Sequence, residues 1–184
     1  RDRQLVRLRI VLASASPQRR RILEDLGLAF EVSASNVAEI EQGDPAEVAI
    51  ANAVAKVDGI GGDLVIGCDT VVATEAGLWG KPRDEEDARR TLGHLSGRTH
   101  RVVSGLAVRR DGVVTTATET TLVTFRSLGE PERHRYVARG EWRGRAGGYA
   151  IQGAGAVLVE RIEGDLLNVI GLPVQTLLRL APEL

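Results

Sequence analysis

The chain predicts a mixed α/β fold, a mixed β-sheet flanked by helices, and three observations carry that expectation. Short runs of Val, Ile and Leu alternate with segments that open on capping residues and close on glycine, the marks of strands followed by helices. Residues 99–125 are rich in Val and Thr and are broken by Asp111-Gly112, a hairpin signal that adds antiparallel strands. With 184 residues, 43% hydrophobic and 27% charged, the chain has the material for one domain with a real core, large enough for two lobes.

Taken in order, a strand is expected at about 8–13. It leads into a helix at about 17–26, capped by Ser16, with Pro17 in its first turn and Gly27 at its end. A short extended piece at 29–33 precedes an irregular acidic loop at 36–43. Asp44-Pro45-Ala46-Glu47 starts a second helix that runs to about Lys56, and Gly59-Ile60-Gly61-Gly62 breaks it. Leu64 to Cys68 reads as a buried strand with Asp69 at its exit. Asp84 caps a helix over 85–95, with Ala88, Leu92 and Leu95 inward, closed by Gly97. After the 99–125 hairpin, Pro131 starts a helix through about Arg139 and residues 144–155 form a glycine-rich loop. Two further strands flank Glu163-Gly164-Asp165, and a last helix starts near Pro173. Residues 1–7 are expected to be a flexible N-terminus before a single domain over 8–184.

Composition excludes several classes. A formal net charge of −1 provides no general field for nucleic acid or membranes, and 3% aromatics leaves little to stack on single strands. The one cysteine, Cys68, rules out an internal disulfide, fits a reducing compartment and reads as a small core residue. The first apolar run is too short for a signal or a membrane span. His94, His100 and His134 lack the spacing of a zinc site, and neither a G-x-S-x-G nor a G-x-G-x-x-G string is present.

The start of the first helix is the strongest candidate for binding. Free backbone N–H groups and the positive end of the helix dipole lie beside Arg19, Arg20 and Arg21, an arrangement that suits phosphate. Arg19 precedes Ile22, Leu23 and Leu26 by three, four and seven residues, so it shares their apolar face and should reach into a pocket. Asp69 either holds a hard cation or activates water, or it is a turn aspartate. Glu39 and Glu41 would add carboxylates to a magnesium site, or are a solvated acidic loop. Lys56 and Lys81 suit phosphate clamps and equally suit a helix end and a loop. Gln152, in the glycine-rich loop, has an amide able to read a base edge, or stands in a tight turn before a strand.

Six strings in order resemble one family, the Maf-like nucleotide pyrophosphatases, named for septum-formation phenotypes. They are Leu12 to Arg20 (LASASPQRR), Gly67 to Val72 (GCDTVV), Gly80-Lys81-Pro82, Leu95 to His100 (LSGRTH), Ala146 to Gly153 (AGGYAIQG) and Gly171-Leu172-Pro173. The match spans about residues 9–180. The resemblance implies a two-lobed fold around a long sheet, similar to inosine-triphosphate pyrophosphatases, with a nucleotide in the cleft. It implies hydrolysis of a nucleoside triphosphate at the α–β bond with a divalent cation, Mg²⁺ or Mn²⁺, by a cytoplasmic homodimer with a house-cleaning role.

Carried over by position, Asp69 matches the general base or metal-linked acid and Glu39 a metal-site carboxylate. Ser14, Arg19, Lys56 and Lys81 match triphosphate-binding positions, and Gln18, Thr70 and Gln152 the positions that distinguish bases. Thr70 with Ile151-Gln152-Gly153 looks like the dTTP/UTP subfamily, so dTTP, UTP and modified pyrimidine nucleotides are the expected substrates. Three positions depart: Gln18 stands where arginine is frequent, Arg145 where lysine is common, and Cys68 where alanine is usual. The competing expectation is a nucleotide-responsive regulator of cell division or septum formation acting through protein partners. The joint presence of Asp69, Lys56 and Lys81 favours the enzyme.

Overall fold

The structure is a computed structural model that describes residues 8–184; the expectation for residues 1–7 lies outside the described residues. The predicted mixed sheet is present. β1 (Ile10–Leu12) runs parallel to β2 (Glu31–Val32) and to β3 (Leu64–Thr74). β3 is antiparallel to the short β4 (Gly77–Trp79) and to β5 (Thr99–Arg110). The sheet continues antiparallel through β6 (Val113–Phe125) to β7 (Val159–Glu163), giving the order β2-β1-β3-β5-β6-β7.

The first three helices start where a cap was expected. In α1 (Pro17–Asp25) the Ser16 hydroxyl accepts from the Arg19 amide. In α2 (Pro45–Val57) Asp44 accepts from the amides of Ala46 and Glu47, and in α3 (Glu85–Leu95) Asp84 accepts from that of Asp87. α4 (Glu130–Ala138) begins one residue before the predicted Pro131, and 3₁₀ turns at Ala146–Gly148 and Ala154–Leu158 break up the glycine-rich loop. One expectation fails after Gly164. Instead of a second strand, Asp165 caps α5 (Leu166–Ile170), accepting from the Leu167 amide at 2.8 Å. The apolar run is helical because Asn168 turns inward, fully buried, and donates to the Val102 carbonyl and the Thr121 hydroxyl. α6 (Val174–Leu180) ends the fold.

Strand alternation distributes the core. Ile10, Leu12, Leu64 and Ile66 pack with Ile22 and Leu23 of α1 and Leu177 of α6 on one face. Val11 and Val65 meet Ala53 and Val57 of α2 on the other. Further along the same long strands, Val72 and Val102 join Leu92 and Leu95 of α3 and Tyr136 and Val137 of α4 in a second large cluster. The two clusters are the expected lobes. β3 passes from one to the other between Cys68 and Val72, and Asp69 stands in that interval.

Two glycines let α2 lie directly on the sheet. A Cβ at Gly67 would lie 2.5 Å from the Ala53 carbonyl oxygen, and one at Gly105 would lie 2.3 Å from the Ala49 carbonyl. Gly105 is also the cross-strand partner of Asp69. Gly105→Ala is therefore expected to push α2 off the sheet and cost about 1–3 kcal/mol, the scale of an overpacked core. Urea unfolding measures it, and an unchanged midpoint would mean that α2 has room to spare.

Candidate active site

Asp69 was expected at a strand exit and lies instead within the eleven-residue β3. The strand that ends is its neighbour. β1 pairs with β3 only as far as Leu12 opposite Ile66, and the chain then leaves the sheet after the Ala13 amide bonds the Ile66 carbonyl. A cavity of about 400 Å³ opens around this end of β1, where the sheet changes from parallel to antiparallel. Because β1 has stopped, the cavity reaches both faces of β3. Strand alternation then turns Asp69 toward α2 and Thr70 toward α1.

Nine of the candidate residues line this cavity: Ser14, Gln18 and Arg19 from the α1 side, Asp69 and Thr70 from β3, and Glu39, Lys56, Lys81 and Gln152 from elsewhere, whereas Arg20 and Arg21 do not. Glu41 does not line it and is exposed.

On the α1 side, Arg19 is 9% exposed and spreads its guanidinium over three neutral oxygens. Nε donates to the Gly171 carbonyl at 2.8 Å, Nη1 to the Ser14 hydroxyl at 3.1 Å and Nη2 to the Thr70 hydroxyl at 3.2 Å. Thr70 in turn shares a hydrogen bond of 2.8 Å with Ser104. Among the described residues no carboxylate pairs with Arg19, so its charge is fixed in place yet left for an anion.

The α2 side is ionic. Lys56 Nζ lies 2.6 Å from Asp69 Oδ1 and 2.8 Å from Glu39 Oε1, and Lys81 Nζ lies 3.1 Å from Glu39 Oε2. Partial burial works to raise the Glu39 carboxyl, but the hydrogen bond and charge of Lys56, with Lys81, outweigh it and hold Glu39 down to about 2. Two carboxylates thus converge on one point that a cation already occupies. Among the described residues no three His, Cys, Asp or Glu side chains gather into a complete metal cage. The pair suits a hard divalent ion that takes its remaining oxygens from water and phosphate.

Sequence reasoning passed over Asn52, which is buried and donates to Asp69 Oδ2 at 2.9 Å. Its signal was spacing: Val48, Asn52 and Lys56 recur every fourth residue on the inward face of α2, and an amide on an apolar face needs partners. Arg145 also lines the cavity. With the Gln18 nitrogen donating to the Ser16 hydroxyl, the Gln18 carbonyl accepts from both Arg145 terminal nitrogens at 3.0 and 3.1 Å. The two unusual positions therefore touch. An arginine at 18 would face Arg145 with like charge, whereas the glutamine binds it.

The glycine-rich loop is held close by Gly147 and Gly148, both at φ near +70°. A Cβ on Gly147 would meet Val72 at 2.9 Å, and the Gly147 amide bonds the Gly80 carbonyl next to Lys81. Tyr149, on the cavity wall, bonds His100 Nε2 at 2.8 Å, and His100 Nδ1 has no partner. Burial holds the His100 imidazole down to about 4 from an ordinary 6.5. The unfolded chain takes up this proton first. The stability His100 contributes is therefore whole above pH 6.5 and is lost as pH falls from 6.5 to about 4. The loss should be roughly 3 kcal/mol in the parent and clearly smaller in His100→Gln. Urea unfolding at neutral pH and near pH 4 checks it, and equal losses in both proteins would acquit His100.

Comparison with known proteins adds relatives. The family described as Maf-like protein matches residues 9–184. A dTTP/UTP pyrophosphatase of Pyrococcus furiosus is 43% identical over 178 residues, covering 94% of this chain and 93% of its own. Proteins of the same name from an Anaeromyxobacter species and from Dictyoglomus thermophilum are 45% and 44% identical, covering 90% and 89% of this chain and 84% and 90% of theirs. Among solved structures, the Staphylococcus aureus Ham1 protein aligns over 64% of this chain and 71% of its own, at 17% identity and a TM-score of 0.45.

Proposed function

The chain belongs to the Maf-like protein family, and on that premise we propose that it is a nucleoside triphosphate pyrophosphatase acting on dTTP and UTP. The observation that carries the reading is the pairing, in one cavity, of a buried arginine held by neutral oxygens with an aspartate held by a lysine. The first suits a polyphosphate and the second suits a water.

In this reading water attacks the α-phosphorus. The bond from that phosphorus to the α–β bridging oxygen breaks, and pyrophosphate leaves with the electron pair. Asp69 takes the water's proton. Each Asp69 oxygen accepts one hydrogen bond from the protein, from Lys56 or from Asn52, and keeps a lone pair for that water. Ser14, Arg19, Lys56 and Lys81 bind the phosphates, with the free amides at the start of α1. Gln18, Thr70 and Gln152 read the base. Thr70 joins the two tasks, since its hydroxyl also holds Arg19. Asp69 and Glu39 would hold Mg²⁺ or Mn²⁺, which supplies further neutralisation of phosphate charge.

Residues 8–184 act as one domain in this reading, and a cytoplasmic homodimer belongs to it. No helix among the described residues is long and apolar enough to cross a membrane. The test is pyrophosphate release with Mg²⁺ or Mn²⁺ across dTTP, UTP, CTP, 7-methyl-GTP and ITP. Release from dTTP and UTP that a chelator stops is expected, and no release from any of the five would overturn the reading.

A further inference from the structure

We propose that Asn52 is a positioning residue that fixes Asp69 and the Glu39 loop to each other; the kinetic part of this proposal rests on the pyrophosphatase reading. Asn52 is 2% exposed and stands behind the cavity wall, one helical turn before Lys56. Its side chain makes three hydrogen bonds to two separate parts of the chain. The Ile40 amide donates to Oδ1 at 2.8 Å, Nδ2 donates to the Ile40 carbonyl at 3.0 Å, and Nδ2 donates to Asp69 Oδ2 at 2.9 Å. The amide therefore mimics a short strand pairing with the backbone of Ile40, the residue after Glu39.

Apart from the ion pairs of Glu39 with Lys56 and Lys81, little else in the loop would hold it there. It lies outside the helices and strands, and the Ile40 side chain is half exposed, so apolar burial contributes little. The amide orientation is fixed by its partners. Oδ1 faces an N–H and Nδ2 faces two oxygens, so the reversed amide would set donor against donor and acceptor against acceptors. No other side chain of this size serves. Aspartate would turn a carboxylate oxygen toward both the Ile40 carbonyl and Asp69, and leucine would leave Asp69 Oδ2 and both Ile40 backbone groups without these partners.

The arrangement ties the two carboxylates together twice. Lys56 joins Asp69 Oδ1 to Glu39 Oε1 by charge, and Asn52 joins Asp69 Oδ2 to the Glu39 backbone neighbour by geometry. Loss of Asn52 would remove no cavity-lining residue, while loosening the Glu39 loop and freeing the Asp69 carboxylate to turn about Lys56. The consequence should fall on turnover and not on nucleotide affinity, because displacement of a catalytic group by about 1 Å costs on the order of a hundredfold in rate.

The test uses Asn52→Leu and Asn52→Ala, with two readouts. In ligand-free protein, amide hydrogen exchange at Ile40 is compared with that at Leu106, which lies in the middle of the sheet. Ile40 exchange at least about tenfold faster, with Leu106 unchanged, is expected. In steady-state assays with dTTP, kcat should fall about tenfold to a hundredfold while KM stays within about threefold. The Leu106 comparison separates a freed loop from a variant that is unstable throughout, and the smaller alanine serves where leucine does not fold. Ile40 exchange that rises no more than Leu106 exchange, kcat within about twofold of the parent, or kcat and KM moving together would each overturn the proposal. If the parent releases no pyrophosphate, the pyrophosphatase reading fails, and the exchange comparison still decides whether Asn52 holds the loop.

Discussion

Asp69→Asn is expected to fold as the parent does and to release pyrophosphate about 10²–10⁴-fold more slowly, the scale of a lost general base. The change conserves shape, and Gly105 opposite and the α2 backbone above are untouched. What changes is the bonding. Asp69 accepts from Lys56 on one oxygen and from Asn52 on the other, and an amide offers only one oxygen. An N–H must then face either the Lys56 ammonium or the Asn52 amide, at a cost of about 1–3 kcal/mol for the mismatched contact. A modest fall in the thermal midpoint should therefore accompany a large fall in rate. Pyrophosphate release with dTTP, read beside circular dichroism, separates the two. Near-normal turnover in a folded Asp69→Asn protein would remove Asp69 from the mechanism.

Lys56→Met should damage both stability and rate. The ammonium and the Asp69 carboxylate are both buried, and Glu39 stands on the other side. Removing the cation leaves two carboxylates without the charge that holds them together, and breaking a buried pair in this way costs about 3–5 kcal/mol. Turnover should fall about 10²–10³-fold through the loss of a preorganised positive charge. An acid titration gives a second check. In the parent Glu39 is held down to about 2, so its contribution is present above the ordinary 4.5 and is lost as pH falls toward 2. Without Lys56, the main partner that holds Glu39 down is gone, and this acid-side loss should shrink. A Lys56→Met protein with parental stability and parental kcat would mean that the two carboxylates find another cation.

Much of this was readable in the chain because it rests on local rules. Ser16, Asp44 and Asp84 mark helix starts wherever they are placed before an amphipathic run, and the spacing of Arg19 with Ile22 and Leu23 already turns it inward. Seven of the nine cavity-lining candidates stand in the six family strings, and Glu39 and Lys56 stand outside them; periodicity alone could not bring 14, 69 and 152 together. What escaped was decided between distant segments. The Leu166–Ile170 run has the composition of a strand, and it became a helix because Asn168 finds oxygen partners on β5 and β6. Asp69 looked like a strand end because the apolar run stops at Cys68, yet β3 goes on for five more residues after it, the first four of them paired with β5. Asn52 escaped for the same reason: nothing local to α2 says that Ile40 lies against it.

The placing of Lys56 between Glu39 and Asp69, with Lys81 also leaning on Glu39, bears on how reactants come and go. On the proposed reading, a nucleotide entering the cleft competes for these ammonium groups with the protein's own carboxylates and not with water alone. Association is then an exchange of anions. A tetra-anionic triphosphate is well equipped to win it, whereas a dianionic monophosphate is poorly matched against two carboxylates already in place. On the proposed reading, the same contest that admits the triphosphate helps the monophosphate leave as the internal pairs re-form.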